Sequence, residues 1–307
     1  MEIILRVVFF VNFLYFGFVS GIDYSVLDFG ATGDGETDDS KAFVKAWKTM
    51  CGDEGDTKTL LIPSGQTFLL QPLQFRGPCG SSSVIQVPFL SVNGLSIIGT
   101  GTINGFGSSF WEEKISKRPT VLQFHNCNTL NISGITSIDS PRNHISINNC
   151  DKVMISNIQL IAPETSPNTD GIDIAASTNI QISNSVISTG DDCIALKTGS
   201  VNINITEVVC GPGHGISIGS LGDKGQEAKV ENVQVTHCTF NKTTNGARIK
   251  TWKGGEGYVK HVYFEHITII DGKNPIIIDQ QYKDKGHRVL ESEENSADVA
   301  ISNAQIL

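Results

Sequence analysis

A short phrase of alternating apolar residues recurs along this chain, and its recurrence restricts the fold more than any other feature. It reads LNIS at 130, VMIS at 153, IQIS at 180, INIT at 203, VQVT at 233, VYFE at 262 and VAIS at 299. The second apolar residues are Ile132, Ile155, Ile182, Ile205, Val235, Phe264 and Ile301, separated by 23, 27, 23, 30, 29 and 37 residues. Alternation within each phrase is the period of a β-strand. A repeat near 23 residues, stretched by loops, is what a right-handed parallel β-helix requires. Each coil lays its strands on those of the coil before, and insertions bulge outward without disturbing the stack. A β-sandwich also spaces its strands regularly, but it gives no reason for one phrase to return in every coil. The sequence therefore predicts an all-β, single-stranded parallel β-helix. The 31 glycines and only 7% aromatic residues agree, since they suit many short strands and turns better than a helical bundle.

One helix is expected ahead of the first coil. The segment ETDDSKAFVKAWKTMC offers Asp38 or Asp39 as N-cap and an apolar face of Ala42, Phe43, Ala46 and Trp47. It is placed to cover the open end of the stack and blunt an exposed edge.

The first 21 residues, MEIILRVVFFVNFLYFGFVSG, carry Arg6, an apolar run from Val7 to Val19, and then the small residues Ser20 and Gly21. This is the pattern of a secretory signal peptide, too short for a membrane span. The expected plan is a leader over residues 1–21 and one β-helix over 22–307. Secretion to the extracellular space or cell wall gives meaning to the seven cysteines and to three sequons, at Asn131, Asn204 and Asn241. An odd number of cysteines leaves at least one thiol unpaired within the chain. The formal charge of −9, with no basic stripe, argues against nucleic acid as a partner. No later run is long and apolar enough to span a bilayer, so no membrane partner is expected once the leader is removed. The expected state is a monomer without a cofactor.

A second alignment concerns chemistry. In NTDGIDI, GDDCIAL and GHGISIG the isoleucines Ile172, Ile194 and Ile216 are spaced by 22 and 22. Two residues before each stand Asp170, Asp192 and His214, with the same spacing. Neighbouring strands lie about 4.8 Å apart, so these three groups should stand on successive rungs, with Asp191 overhanging them. The next phrase, GARIKTW, sends Arg248 and Lys250 out over the same sheet if Ile249 faces inward. An Asp-Asp pair, a Gly-His-Gly or an Arg-x-Lys is ordinarily a solvated turn or face. Chance does not explain why all of them fall in register on one face.

Three carboxylates and an imidazole this close cannot all be charged. Mutual repulsion should hold one proton and raise one carboxyl pKa. An acid beside a base is what glycoside hydrolysis uses, with the leaving oxygen protonated on one side and water activated on the other. Two cations alongside suit a sugar bearing a carboxylate.

The stretches SPNTDGIDI, TGDDCIAL, GPGHGISIGSLG and NGARIKTW resemble the four motifs of polygalacturonases, the pectin-cleaving glycoside hydrolases, in their plant form. The resemblance runs from about Asp23 to Ile306. It implies a right-handed parallel β-helix and inverting hydrolysis of α-1,4-linked galacturonan, with pectin or polygalacturonate as partner. It further implies that Asp191 is the general acid and that Asp170 and Asp192 activate water. His214 would tune the acid, Arg248, Lys250 and Tyr282 would line the subsite of a galacturonate carboxylate, and Asn168 would orient its loop. Plant members usually carry a cysteine directly after the tyrosine, where this chain has Lys283. They also continue through further coils and a C-terminal cap, so the resemblance implies that such coils are missing here. Cys193 and Cys210 are candidate bridge partners flanking the catalytic coil, and Cys51 and Cys79 candidates for closing an N-terminal loop. Cys127 and Cys150 read as stacked buried thiols. Two other functions fit the same residues: a Ca²⁺-dependent pectate lyase, with Asp170, Asp191 and Asp192 as ligands, and a truncated, non-catalytic wall protein.

Overall fold

Strands stack where the apolar phrases fall. The computed structural model describes residues 3–5, 22–53, 58–63, 65–71, 84–85, 89–90, 94–112, 118–283 and 298–306. Over these residues the chain winds as a parallel β-helix, with one sheet of sixteen strands and one of nine carrying most of the ladder. A typical coil leaves the smaller sheet at Ile194–Leu196, runs through Ser200–Cys210 in the larger, and returns to the smaller at Ile216–Leu221. Of residues 1–21, only the strand Ile3–Leu5 is described, paired antiparallel with Thr67–Leu70 and Thr102–Asn104. The rest of the expected leader lies outside the described residues.

Register confirms both alignments over most of their length. In the larger sheet Ile132, Ile155, Ile182, Ile205, Val235 and Phe264 stack in one column. In the smaller sheet the column is Leu122, Ile145, Ile172, Ile194, Ile216, Ala247 and Ile276. All but the last of the smaller-sheet column are buried, and the two columns face into one continuous core. Each fully buried isoleucine is worth about 1.5–3 kcal/mol, so the columns are the main source of cohesion between coils.

The seventh phrase is out of register. Phe264 pairs with Ile306, while the expected partner Ile301 pairs with Val259. A column of left-handed residues, Lys152, Asn179, Asn202, Asn232, His261 and Asn303, all with φ between 51° and 57°, explains the shift. In every coil it precedes the inward-facing pair, and Asn303 takes that position in the last one. Ala304 and Ile306 therefore take the register of Val262 and Phe264, while Ile301 takes that of buried Val259 and packs against the core. Asparagine adopts this conformation more readily than most residues. Here its amides also bond between coils, Asn232 to Asn202 at 3.0 Å and Asn202 to Asn179 at 3.1 Å.

The expected helix is present as α1, Ser40–Gly52, with Ala42, Phe43, Ala46 and Trp47 buried along with Met50 and Cys51. Phe43 meets Phe68 edge-on, ring centroids 5.3 Å apart, which joins the helix to the end of the stack. Asp39 is the N-cap residue, but its side chain does not cap. The carboxylate turns back to accept from the N–H groups of Thr32 and Gly33, at 2.6 and 3.1 Å, and thereby holds the preceding loop. At the other end Ile276 and Ile278 stand in the inward register yet are 53% and 52% exposed, because no described strand stacks on Asn274–Asp279.

His144 lies inside the coil, one residue before Ile145. Its Nδ1 is 2.8 Å from the Ser137 hydroxyl, while its Nε2 is buried without a partner among the described residues. Burial lowers its pKa from 6.5 to about 3. The unfolded chain takes up this proton as pH falls below 6.5 and the native protein resists until about 3, so acid costs stability throughout that window. Each unit costs about 1.4 kcal/mol, hence about 3 kcal/mol between neutrality and pH 4. Urea unfolding across this range should show a shallower pH dependence in His144→Leu than in wild type, by close to one proton. Equal slopes would contradict the assignment.

Candidate active site

The smaller sheet builds the site. Two residues before each inward isoleucine the chain enters the strand, and Asn143, Asp170, Asp192, His214 and Asn245 occupy this position in successive coils. Backbone bonds fix the rungs: Gly171 N–H to Asp192 O at 2.9 Å, and His214 N–H to Asp191 O at 2.7 Å. Gly215 is required beside His214. Its φ is +87°, and a Cβ there would lie 2.2 Å from the Asn245 carbonyl oxygen.

Asp191 and His214 form a pair, Oδ1 to Nδ1 at 2.9 Å. The same Oδ1 accepts the Asp192 N–H at 2.8 Å, and Oδ2 accepts the Asn168 amide at 3.2 Å. Asp192 is 1% exposed and fully engaged. The Ser217 hydroxyl donates to Oδ1 at 2.6 Å, Lys250 Nζ to Oδ2 at 2.7 Å, and Arg248 Nη1 stands 3.7 Å from Oδ1. The Tyr282 ring lies against both cations, 5.8 Å from the Arg248 Cζ and 5.6 Å from the Lys250 Nζ, and is itself edge-on to Trp252. The spacing places Arg248 and Lys250 over the same sheet, beside the acidic cluster. In the structure both are turned onto Asp192, because a carboxylate this buried needs compensating charge.

The sequence predicts one raised carboxyl pKa in this cluster, and in the structure it is that of Asp170. Burial, then the charges of Asp173, Asp191 and Asp192, push Asp170 well above the usual carboxylate range. Burial also pushes Asp191 up, but the His214 hydrogen bond and charge, with Lys250, outweigh it and leave Asp191 below its usual value. The Asp191 bond in turn raises His214. Burial is thus the leading cause of the Asp170 rise, and repulsion by its acidic neighbours the second.

Other residues of the cluster escaped the sequence reading. Asp173 accepts from the Asn143 amide, and Lys197 donates to the Gly219 carbonyl at 3.0 Å. Burial alone would lower Lys197, yet Asp173, Asp170, Asp192 and Asp191 together raise it. The 22-residue spacing would have found some of these: Asp173, Ala195 and Ser217 share one column, and Lys197 pairs with the Gly219 position.

The cysteines fall into two groups. Cys193 and Cys210 are joined by a disulfide, Cα atoms 6.0 Å apart, directly behind the Asp192 rung. Cys51 on α1 is also disulfide-bonded, and Cys79 lies outside the described residues. Cys127 and Cys150 stack on adjacent rungs in the core, the Cys127 N–H donating to the Cys150 sulfur at 3.3 Å.

Comparison with known proteins bears on this geometry. Residues 81–306 match the model of glycosyl hydrolases family 28. A probable polygalacturonase of Arabidopsis thaliana is 50% identical over 297 residues, covering 89% of this chain and 65% of that protein. A polygalacturonase of Persea americana is 42% identical over 292 residues, covering 85% and 62%. The chain thus spans less than two thirds of the length of these relatives. Among solved structures, a polygalacturonase from Erwinia carotovora ssp. carotovora superposes with a TM-score of 0.58 at 27% identity, over 71% of this chain and 72% of that one. The family match runs through every residue of the acidic cluster and its cations, and on that ground the chain belongs to family 28 of the glycosyl hydrolases.

Proposed function

We propose that this protein hydrolyses α-1,4-galacturonosyl linkages of polygalacturonate and pectin by acid–base catalysis with inversion. The observation that carries the reading is the Asp191–His214 pair standing next to buried Asp192, with Arg248, Lys250 and Tyr282 at one side and Asp170 at the other. Polygalacturonases among the relatives give the substrate class.

Asp191 protonates the glycosidic oxygen as the bond breaks, and Asp170 with Asp192 takes a proton from the water attacking on the opposite face. Burial and neighbouring charge favour the protonated form of Asp170, while His214 and Lys250 favour the ionised form of Asp191, so substrate must favour the acid form of Asp191. A uronate carboxylate beside Arg248 and Lys250 competes for Lys250, brings negative charge close to Asp191 and excludes water. Each effect raises Asp191. Once Asp191 carries the proton its negative charge no longer raises Asp170, which favours the ionised, basic form of Asp170.

Asp191, Asp192 and His214 also offer ligand atoms within 4.8 Å of one another, an arrangement that would suit a Ca²⁺-dependent lyase instead. Product analysis on polygalacturonate separates the readings. Hydrolysis yields new reducing ends with no ultraviolet-absorbing product, withstands EDTA, and releases the inverted anomer by NMR. Unsaturated, EDTA-sensitive products would replace this reading with lysis, and the absence of turnover would leave a non-catalytic wall protein.

The same reading has residues 1–21 removed as a leader and the β-helix acting at the cell wall as a monomer. Asn204 and Asn241 are exposed and accessible to glycosylation, whereas Asn131 is half-buried.

A further inference from the structure

Asn168 poses a problem of orientation. Its side chain is exposed, yet its amide must present nitrogen rather than oxygen to Asp191 Oδ2. The two ends of an amide are nearly the same shape, and only their partners distinguish them. Reversed, the amide would set its oxygen against a carboxylate.

Arg118, on the segment leading into the strand Leu122–His125, resolves this. Its Nη1 donates to the carbonyl oxygens of Pro141 and Pro167, at 3.1 and 2.5 Å, and its Nη2 stands 3.5 Å from Asn168 Oδ1. One planar guanidinium thus ties together two loops that enter successive coils and turns its remaining edge to the amide oxygen. A cation on that side favours the orientation in which nitrogen faces Asp191. With Asn168 on Oδ2 and His214 on Oδ1, both oxygens of the carboxyl are held.

We propose that Arg118 is a positioning residue: it sets the loop and the amide of Asn168, and through that amide the Asp191 carboxyl. The inference rests on Asp191 being the proton donor of the proposed reaction.

A double-mutant cycle of Arg118→Met and Asn168→Ala tests it. On polygalacturonate each single variant lowers kcat by about tenfold to a hundredfold with KM little changed, as expected of a reacting group slightly misplaced. Each also moves the high-pH limb of kcat/KM upward, because a carboxylate that has lost a donor keeps its proton longer. The double variant is no worse than Asn168→Ala, since Arg118 acts through that residue. Arg118→Lys restores little, as one ammonium cannot reach both carbonyls and the amide. Additive losses, or a fall in Tm with an unmoved pH limb, would overturn the inference.

A second readout is independent of turnover. His214 shares the Asp191 carboxyl, so its imidazole titration, followed by ¹⁵N NMR, should shift to higher pH by the same amount in both single variants. If wild type fails on polygalacturonate but His214 shifts as described, the reaction is misassigned and the Arg118 relay stands. If His214 does not move, the relay is wrong whatever the reaction.

Discussion

Asp191→Asn lowers kcat on polygalacturonate by about a thousandfold, within the range expected for loss of a positioned proton donor, and leaves KM and Tm nearly unchanged. The amide keeps the size of the carboxyl, and its oxygen at the Oδ1 position still accepts from the Asp192 N–H and faces His214, so only the Asn168 contact is lost. The amide has no proton to give to the leaving oxygen. Asp191 also binds substrate less directly than Arg248 and Lys250, which is why the loss falls on kcat. A variant with a rate close to wild type would remove Asp191 from the reaction and transfer the acid role to Asp170, the carboxyl whose pKa burial raises.

Lys250→Met should damage both the fold and the chemistry. Lys250 is 6% exposed and its ammonium is 2.7 Å from an Asp192 carboxylate that is 1% exposed. Methionine fills the stem but leaves the carboxylate with only Ser217 and a more distant Arg248. Breaking a buried pair in this way costs about 3–5 kcal/mol, which for a domain of this size lowers Tm by roughly 10 °C. Adding Asp192→Asn to Lys250→Met should restore most of the stability at neutral pH and none of the turnover. A single variant as stable as wild type, measured by urea unfolding, would show that the pair contributes nothing. Unchanged KM would show that Lys250 does not hold the substrate.

Much of this protein could be read in the order of its residues, because a β-helix converts sequence spacing directly into position. Ile172, Ile194 and Ile216 lie 22 residues apart and stand on adjacent rungs, so Asp170, Asp192 and His214 had to come together. The capping helix was legible for a similar reason, since Ala42, Phe43, Ala46 and Trp47 recur with the period of one helical face.

The misreadings share a cause. Apolar alternation suggested VAIS as the seventh phrase, but the kink of the left-handed column at Asn303 gives the register of Val262 and Phe264 to Ala304 and Ile306. Of Asp38 and Asp39, the expected caps of α1, Asp39 takes the N-cap position but turns its side chain to Thr32 and Gly33, while Asp38 accepts the Ser40 N–H, because side-chain rotation chooses among nearby donors that spacing does not rank.

Spacing along the chain settled which groups share the cleft: the fold, the acidic column and the two cations near it. How those groups divide charge and protons emerged from three-dimensional packing. Lys250 and Arg248 turn inward to Asp192, the pKa of Asp170 is raised while that of Asp191 is lowered, and Arg118 reaches Asn168 from 50 residues away. A repeat dictates backbone register to within a rung, about 4.8 Å. Hydrogen bonds and desolvation change within a fraction of that distance, through rotamers and neighbouring loops for which the periodicity carries no signal.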